Sequence, residues 1–77
     1  MNVEIITPDK SLFSGDATEV SLPGIDGSLG ILDRHAPLIS ALKSGLIKLK
    51  TGSEEKTFDI NGGVAEVLNN KLIVLAE

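Results

Sequence analysis

The sequence predicts an all-β fold, a sandwich or a barrel, in a single domain over residues 1–77. Turn signals rich in Gly, Pro, Asn and Asp recur at short and regular spacing, which is typical of such folds. The runs between the turns are rich in Val, Ile, Leu and Thr, the residues that favour strands. The chain contains no cysteine, so apolar packing rather than disulfides must stabilise this small domain.

Strands are predicted where aliphatic side chains alternate with polar ones. Such runs occur at 3–5, 19–22, 47–50 and 57–60. In 47–50 both lysines share one face and both aliphatics share the other. The run 72–75 is apolar on both faces, as expected of a central strand or of a strand covered by a partner.

Two segments have some helical features. Residues 36–43 place Pro37 near a possible first turn, with Gly45 beyond the end. Residues 64–68 have apolar side chains at helical spacing before Asn69-Asn70. Both segments are short for a stable helix, so we predict strands for both.

The dipeptides Asp26-Gly27 and Asn61-Gly62 predict hairpins. Asn-Gly and Asp-Gly are the preferred residues of type I′ turns, which require positive φ at both central positions. Asn69-Asn70 is also interpreted as a turn.

Composition argues against several functions. The formal net charge of -4 and the absence of Trp and Tyr disfavour nucleic-acid binding. The seven Lys and Arg are scattered, so no polybasic membrane patch is expected. The longest apolar run, 72–76, is far shorter than the roughly 18 residues that span a bilayer. The first residues lack a basic region and a long apolar region, so we expect a cytoplasmic-type chain without a secretory signal.

Candidate chemistry is sparse. His35 is the single histidine, and its neighbours Asp33 and Ser40 do not assemble a triad by proximity in sequence. Asp26, Asp33 and His35 would make a weak metal site at most. The glycines of 22–32 match neither the dinucleotide fingerprint nor the P-loop. We therefore predict no catalytic, cofactor-binding or metal site and no small-molecule ligand.

Residues 25–42 are rich in Ile and Leu and carry few charges. Either a small sandwich needs all these side chains for its core, or part of them forms an exposed interaction surface.

Several motifs carry a family resemblance when they are taken in order. They are Phe13-Ser14-Gly15, Val20-Ser21-Leu22-Pro23-Gly24, Gly27-Ser28-Leu29-Gly30-Ile31-Leu32, His35-Ala36-Pro37-Leu38, Leu42-Lys43-Ser44-Gly45, Asn61-Gly62-Gly63-Val64-Ala65-Glu66-Val67 and Val74-Leu75-Ala76. Together they span nearly the whole chain, and it resembles the amino-terminal domain of the ε subunit of bacterial F-type ATP synthases.

The resemblance implies a flattened sandwich of two antiparallel sheets with about ten short strands. It also implies a non-catalytic rotor subunit of the central stalk, which couples the c ring to the γ subunit of a proton- or sodium-driven ATP synthase. Such a subunit is peripheral on the cytoplasmic face of the bacterial inner membrane. By position, the c-ring-facing loop comprises Ile25, Asp26, Gly27, Ser28, Leu29 and Gly30, and the γ interface comprises Thr7, Ile31, His35, Leu38 and Ser40.

Two departures from the family pattern are visible. Ser28 stands where the family often has Glu, and Asp26 lies near enough to substitute. The family usually continues into an inhibitory two-helix hairpin, whereas this sequence ends at Glu77; we expect a coupling sandwich without those helices.

Two other functions remain open from the residues alone. A biotinyl- or lipoyl-type carrier domain would carry a modified lysine at a turn, where Lys71 and Lys10 are candidates, but the chain lacks quasi-symmetric halves. A sandwich that binds peptide or sugar is the second alternative, although aromatic platforms for sugar are absent.

Overall fold

The computed structural model describes residues 1–77 and consists of strands and turns. None of its elements is a helix, so no helix is available to span a membrane. The nine strands are β1 (Asn2–Ile6), β2 (Ser11–Asp16), β3 (Glu19–Gly24), β4 (Gly27–Leu32), β5 (Leu38–Leu42), β6 (Gly45–Thr51), β7 (Glu54–Ile60), β8 (Gly63–Leu68) and β9 (Lys71–Ala76). The prediction of an all-β fold is confirmed, and the ambiguous segments 36–43 and 64–68 form β5 and β8.

The strands form two layers that share one hydrogen-bonded path. The first sheet has the order β2-β1-β9-β8-β5, and the second has the order β4-β3-β6-β7. A single pair, Gly24 with Leu42, joins β3 to β5 and makes the corner between the layers. Two flanking hydrogen bonds hold this corner, Ile25 N to Ala41 O at 3.0 Å and Lys43 N to Pro23 O at 2.8 Å.

The sandwich predicted from the resemblance is confirmed with one qualification of its topology. All strand pairs are antiparallel except β1 with β9, which run parallel in the middle of the first sheet. A parallel pair needs a long crossover, and here the crossover is the rest of the chain. The first and last strands are therefore central rather than peripheral.

The core lies between the two layers and is almost wholly aliphatic. One cluster of 16 buried residues includes side chains from both sheets. Val3, Ile5, Leu72 and Val74 are fully buried on β1 and β9, because they alternate onto the inner face of the first sheet. Phe13 of β2 and Phe58 of β7 pack against the edge of this cluster.

The turns differ from the two hairpin predictions. Asp26-Gly27 does lie at a hairpin, between β3 and β4, but the central residues are Ile25 and Asp26, and only Gly27 has positive φ, at 136°. The hairpin prediction for Asn61-Gly62 is wrong, because β7 pairs with β6 whereas β8 pairs with β5 and β9. This segment instead crosses from the second sheet to the first.

Candidate docking surface

The outer face of the first sheet is largely apolar. Its exposed or half-buried aliphatic side chains, which we call the apolar face, are Ile6, Ile39, Val64, Leu68, Ile73 and Leu75. They alternate with the buried residues of β1, β5, β8 and β9, so they point away from the core. Four of the seven exposed large hydrophobic residues of the chain lie on this face.

Strand register places these side chains side by side. Leu75 is opposite Val64 on one side and Ile6 on the other. In the next row, Glu66 is opposite Ile39 and Ile73. Because side chains directly opposite each other on one face are about 4.5–5.5 Å apart, Val64, Leu75 and Ile6 form a contiguous apolar row, and in the next row Ile39 and Ile73 lie on either side of Glu66.

The apolar face is open to solvent and grooved. Ile39 is 71% exposed and Leu75 is 56% exposed. A groove of about 190 Å³ between them is lined by Ile39, Val64, Glu66, Ile73 and Leu75. Contiguous exposed apolar surface of this kind marks interaction sites in soluble proteins.

The outer face of the second sheet is different in character. A shallow groove there is lined by Glu19, Ser21, Lys48, Lys50 and Glu55, without any hydrophobic residue. Lys50 Nζ lies 3.7 Å from Glu19 Oε1. Charged side chains are mostly exposed to solvent in proteins, so the region around this groove suits solvent; Leu32 and Leu46, the exposed aliphatic residues of this face, lie outside the groove.

The predicted c-ring-facing loop forms the β3–β4 hairpin tip and the first part of β4. Ile25 and Asp26 are the turn residues, and both are exposed, Ile25 by 59%. Ser28 and Gly30 are also exposed, whereas Gly27 and Leu29 are half-buried. Because the corner hydrogen bonds anchor Ile25 to β5, the tip is held in place.

The residues predicted to face γ do not form one cluster. Thr7 follows Ile6, which pairs with Leu75 near the end of β9. His35 lies in a loop that is hydrogen-bonded to Asn70, just before the start of β9. Thr7 Oγ1 contacts both Lys10 N and Lys10 O at 3.1 Å and closes its own turn. His35 Nδ1 lies 2.7 Å from Ala36 O.

The other three predicted γ-contact residues are on the inner side of their strands. Ile31 is fully buried in the core, so its side chain has no surface to offer a partner. Leu38 and Ser40 are half-buried on β5, and Leu38 packs against the core. Their neighbour Ile39 points outward and is the most exposed large hydrophobic residue of the chain.

Sequence reasoning did not assign Val64, Ile73 or Leu75 to a partner. The signal was present in the run 72–75, which is apolar on both faces. In the structure β9 is central, and its second apolar face is uncovered. The central-strand explanation of that run is therefore confirmed, since Leu72 and Val74 enter the core. Ile73 and Leu75 face outward, and their coverage by a partner stays a prediction.

Comparison with known proteins identifies relatives over the whole chain. Residues 1–77 match the family described as the ATP synthase delta/epsilon chain β-sandwich domain. An ATP synthase epsilon chain from Chlorobium limicola is 47% identical over 97% of this chain and 86% of its own length. The Caulobacter vibrioides epsilon chain is 39% identical over 100% of this chain and 90% of its own length. The ATP synthase epsilon chain of Gloeothece citriformis is 44% identical, and this chain spans 54% of its length.

Solved structures share the fold. A chain in the cryo-EM structure of the central stalk and c ring of the Tetrahymena thermophila mitochondrial ATP synthase matches with a TM-score of 0.86 and 24% identity, over 99% of this chain and 62% of that one. A chain of the Euglena gracilis mitochondrial ATP synthase matches with a TM-score of 0.89 and 17% identity, over 96% and 48%. At these identities the similarity establishes the β-sandwich alone.

Proposed function

This chain belongs to the ATP synthase delta/epsilon chain family through its β-sandwich domain, and we propose from that premise that it is a non-catalytic subunit of the rotor stalk. In this role it couples the c ring to the γ subunit of a proton- or sodium-driven ATP synthase, at the cytoplasmic face of the bacterial inner membrane. The single observation that carries the proposal is the apolar face, because a stalk subunit must hold a protein partner firmly.

The γ subunit is proposed to cover the apolar face. Removing apolar area from water is favourable by about 25 cal/mol per Å² before the costs of association are subtracted, and the binding energy of an interface concentrates in a few central side chains. Ile39, Val64 and Leu75 are exposed aliphatic side chains that line one groove, so a partner that fills the groove would bury all three. Thr7 follows Ile6 at the margin of this surface, whereas Leu38 and Ser40 lie on the inner side of β5 and Ile31 lies in the core. His35 borders it at the Asn70 end.

The c ring is proposed to contact the β3–β4 tip. Ile25 and Asp26 offer one apolar and one acidic side chain on a short, anchored turn. Asp26 supplies the carboxylate that the family often carries at the position of Ser28. An anchored tip transmits force better than a flexible loop, since its two strands continue into the core.

The absence of catalysis is part of the proposal and has a physical basis. A general base must lie within hydrogen-bond reach of a nucleophile or substrate. The only histidine has Nδ1 beside the Ala36 carbonyl, where it contacts backbone rather than a nucleophile. The catalytic sites are accordingly proposed to lie on other subunits of the complex.

Binding of purified γ subunit to variants of each face tests the proposal. Ile39→Asp and Leu75→Asp place a carboxylate in the proposed contact and are expected to weaken binding by at least roughly tenfold, since an unpaired buried charge is costly. Isothermal titration calorimetry gives the affinities. Circular dichroism checks that the exposed substitutions leave the sandwich folded.

Thr57→Asp is the matched control, because Thr57 is exposed on β7 and opposite Lys48 on the outer face of the second sheet, which we call the charged face for its groove lined by Glu19, Ser21, Lys48, Lys50 and Glu55. It is expected to bind γ with unchanged affinity. Equal affinities for the Ile39, Leu75 and Thr57 variants would exclude the apolar face as the γ-binding surface. For the tip, Ile25→Cys is expected to cross-link to c-ring loops in the assembled complex, and Lys48→Cys is not.

A further inference from the structure

The apolar face contains one charge that is not neutralised. Glu66 is exposed at the middle of β8, a strand that lies between β5 and β9. Its cross-strand neighbours on the same face are Ile39 and Ile73. Glu66 lines three surface grooves. The first also contains Pro37 and Leu68, the second Val64 and Leu75, and the third Asn69 and Lys71.

The other acid of the same row has a partner within the chain. Glu4, opposite Ile73 on β1, lies 3.4 Å from Lys71 Nζ. The ion pairs of the chain are Met1 with Asp33, Lys50 with Glu19, and Lys71 with Glu4, and none involves Glu66. Its carboxylate also forms no hydrogen bond with the protein.

Stability does not explain a glutamate at this position. Glu is depleted in strands, where β-branched and aromatic residues pack better, and the adjacent positions of the face are isoleucines. A residue that breaks the local rule without a compensating contact is expected at functional sites. Covering Glu66 with an aliphatic surface alone would bury an unpaired charge at high cost.

We propose that Glu66 selects the partner that docks on the apolar face, by pairing with a basic side chain that an otherwise aliphatic partner segment places at the centre of the contact. Arginine fits best, because its planar guanidinium binds a carboxylate through two parallel hydrogen bonds. The aliphatic side chains supply affinity, and the ion pair sets register and rejects partners that lack the cation. This inference rests on the proposed function.

The test is the affinity of Glu66→Gln for the purified γ subunit at low and at physiological salt. Gln keeps the size of the side chain and removes the charge, so the partner's cation would lose its counterpart in the desolvated contact. We expect at least roughly tenfold weaker binding and a smaller loss of affinity with added salt than the native chain shows. Glu66→Lys should weaken binding further, and one Arg→Glu or Lys→Glu substitution in γ should restore it.

The direction in which Glu66→Gln changes the affinity for γ tests the inference. If the partner presents no cation, removing the charge spares a desolvation cost, and the variant binds as tightly as the native chain or more tightly; either result overturns the inference. Glu55→Gln on the charged face is the control and should change neither affinity nor salt dependence. Melting temperatures within about 2–4 °C of the native value would exclude misfolding.

The two proposals fail in different ways. If Ile39→Asp abolishes binding while Glu66→Gln binds normally, the apolar face is a docking surface without the proposed ion pair. If Ile39→Asp binds normally as well, the partner lies elsewhere, and both proposals fall.

Discussion

Gly63 has a backbone conformation that other residues rarely adopt. Its φ is 146°, and a Cβ atom there would overlap Leu75 O and lie 3.0 Å from Ala76 Cα. The residue begins β8 directly after the crossover from the second sheet, where the chain must enter the first sheet beside β9. Gly30 on β4 is the opposite case, since φ is ordinary and a Cβ would meet nothing within 4 Å.

Gly63→Ala is therefore expected to destabilise the domain by about 2–4 kcal/mol, because it adds backbone strain and a clash with a neighbouring strand. Thermal unfolding followed by circular dichroism should show a melting temperature lower by roughly 10–20 °C. Gly30→Ala should be neutral or stabilise by up to about 1 kcal/mol, since it reduces the entropy of the unfolded chain. Similar losses in the two variants would contradict this reading of the Gly63 backbone.

The β8–β9 hairpin shows, at the scale of elements, where sequence patterns succeed and fail. Asn69 and Asn70 both have positive φ, 52° and 59°, and they connect the paired residues Leu68 and Lys71. These are the values that a type I′ turn requires. The turn predicted at Asn69-Asn70 is thus confirmed, whereas the hairpin predicted at Asn61-Gly62 is not formed.

Asn70 has a second role that Asn69 lacks. Its Oδ1 accepts a hydrogen bond of 2.7 Å from Arg34 N, and Arg34 itself has a positive φ of 62°. Asn70→Gly keeps the turn but removes this bond, which should cost about 0.5–1.5 kcal/mol. Asn69→Gly removes no side-chain hydrogen bond and should change stability by less than about 0.5 kcal/mol. Urea unfolding with unchanged m-values gives both numbers, and equal effects would contradict the assigned role.

Local patterns predicted the elements better than their arrangement. Alternation identified β3, β6 and β7 because a strand with one face in the core must alternate. It did not reveal that 61–62 is a crossover, because the same Asn-Gly pair suits any sharp change of direction and only strand pairing distinguishes the cases. Of the candidate surfaces, the sequence identified the loop that forms the exposed tip at Ile25 and Asp26. It did not identify the exposed side chain of Ile39, because the side on which a residue of β5 lies depends on the register of that strand. The contacts proposed for both surfaces stay predictions.

At the scale of the whole molecule, the two sheets are joined differently at their two sides. At one side β3 and β5 share the hydrogen-bonded corner. At the other side the edge strands β2 and β7 meet through side chains, with the Phe13 and Phe58 ring centroids 6.1 Å apart at an interplanar angle of 59°. Lys56 Nζ lies 5.5 Å from the Phe13 ring centroid and covers the same junction. This junction keeps the layers together without a backbone ladder.

A double-mutant cycle on Phe13 and Phe58 tests that closure. Each Phe→Ala change removes a half-buried ring, and the coupling between them should be about 0.5–1.5 kcal/mol, as for tilted aromatic pairs. Hydrogen exchange should accelerate in β2 and β7 and remain slow at the β3–β5 corner, because local opening follows the weakest junction. Ile39 on β5 is the control partner for Phe13, since four strand spacings, about 19 Å, separate β5 from β2. The effects of the changes at Phe13 and Ile39 on the free energy of unfolding should be additive within about 0.5 kcal/mol. A coupling energy between Phe13 and Phe58 that is equally close to zero would mean that the core alone holds the layers together.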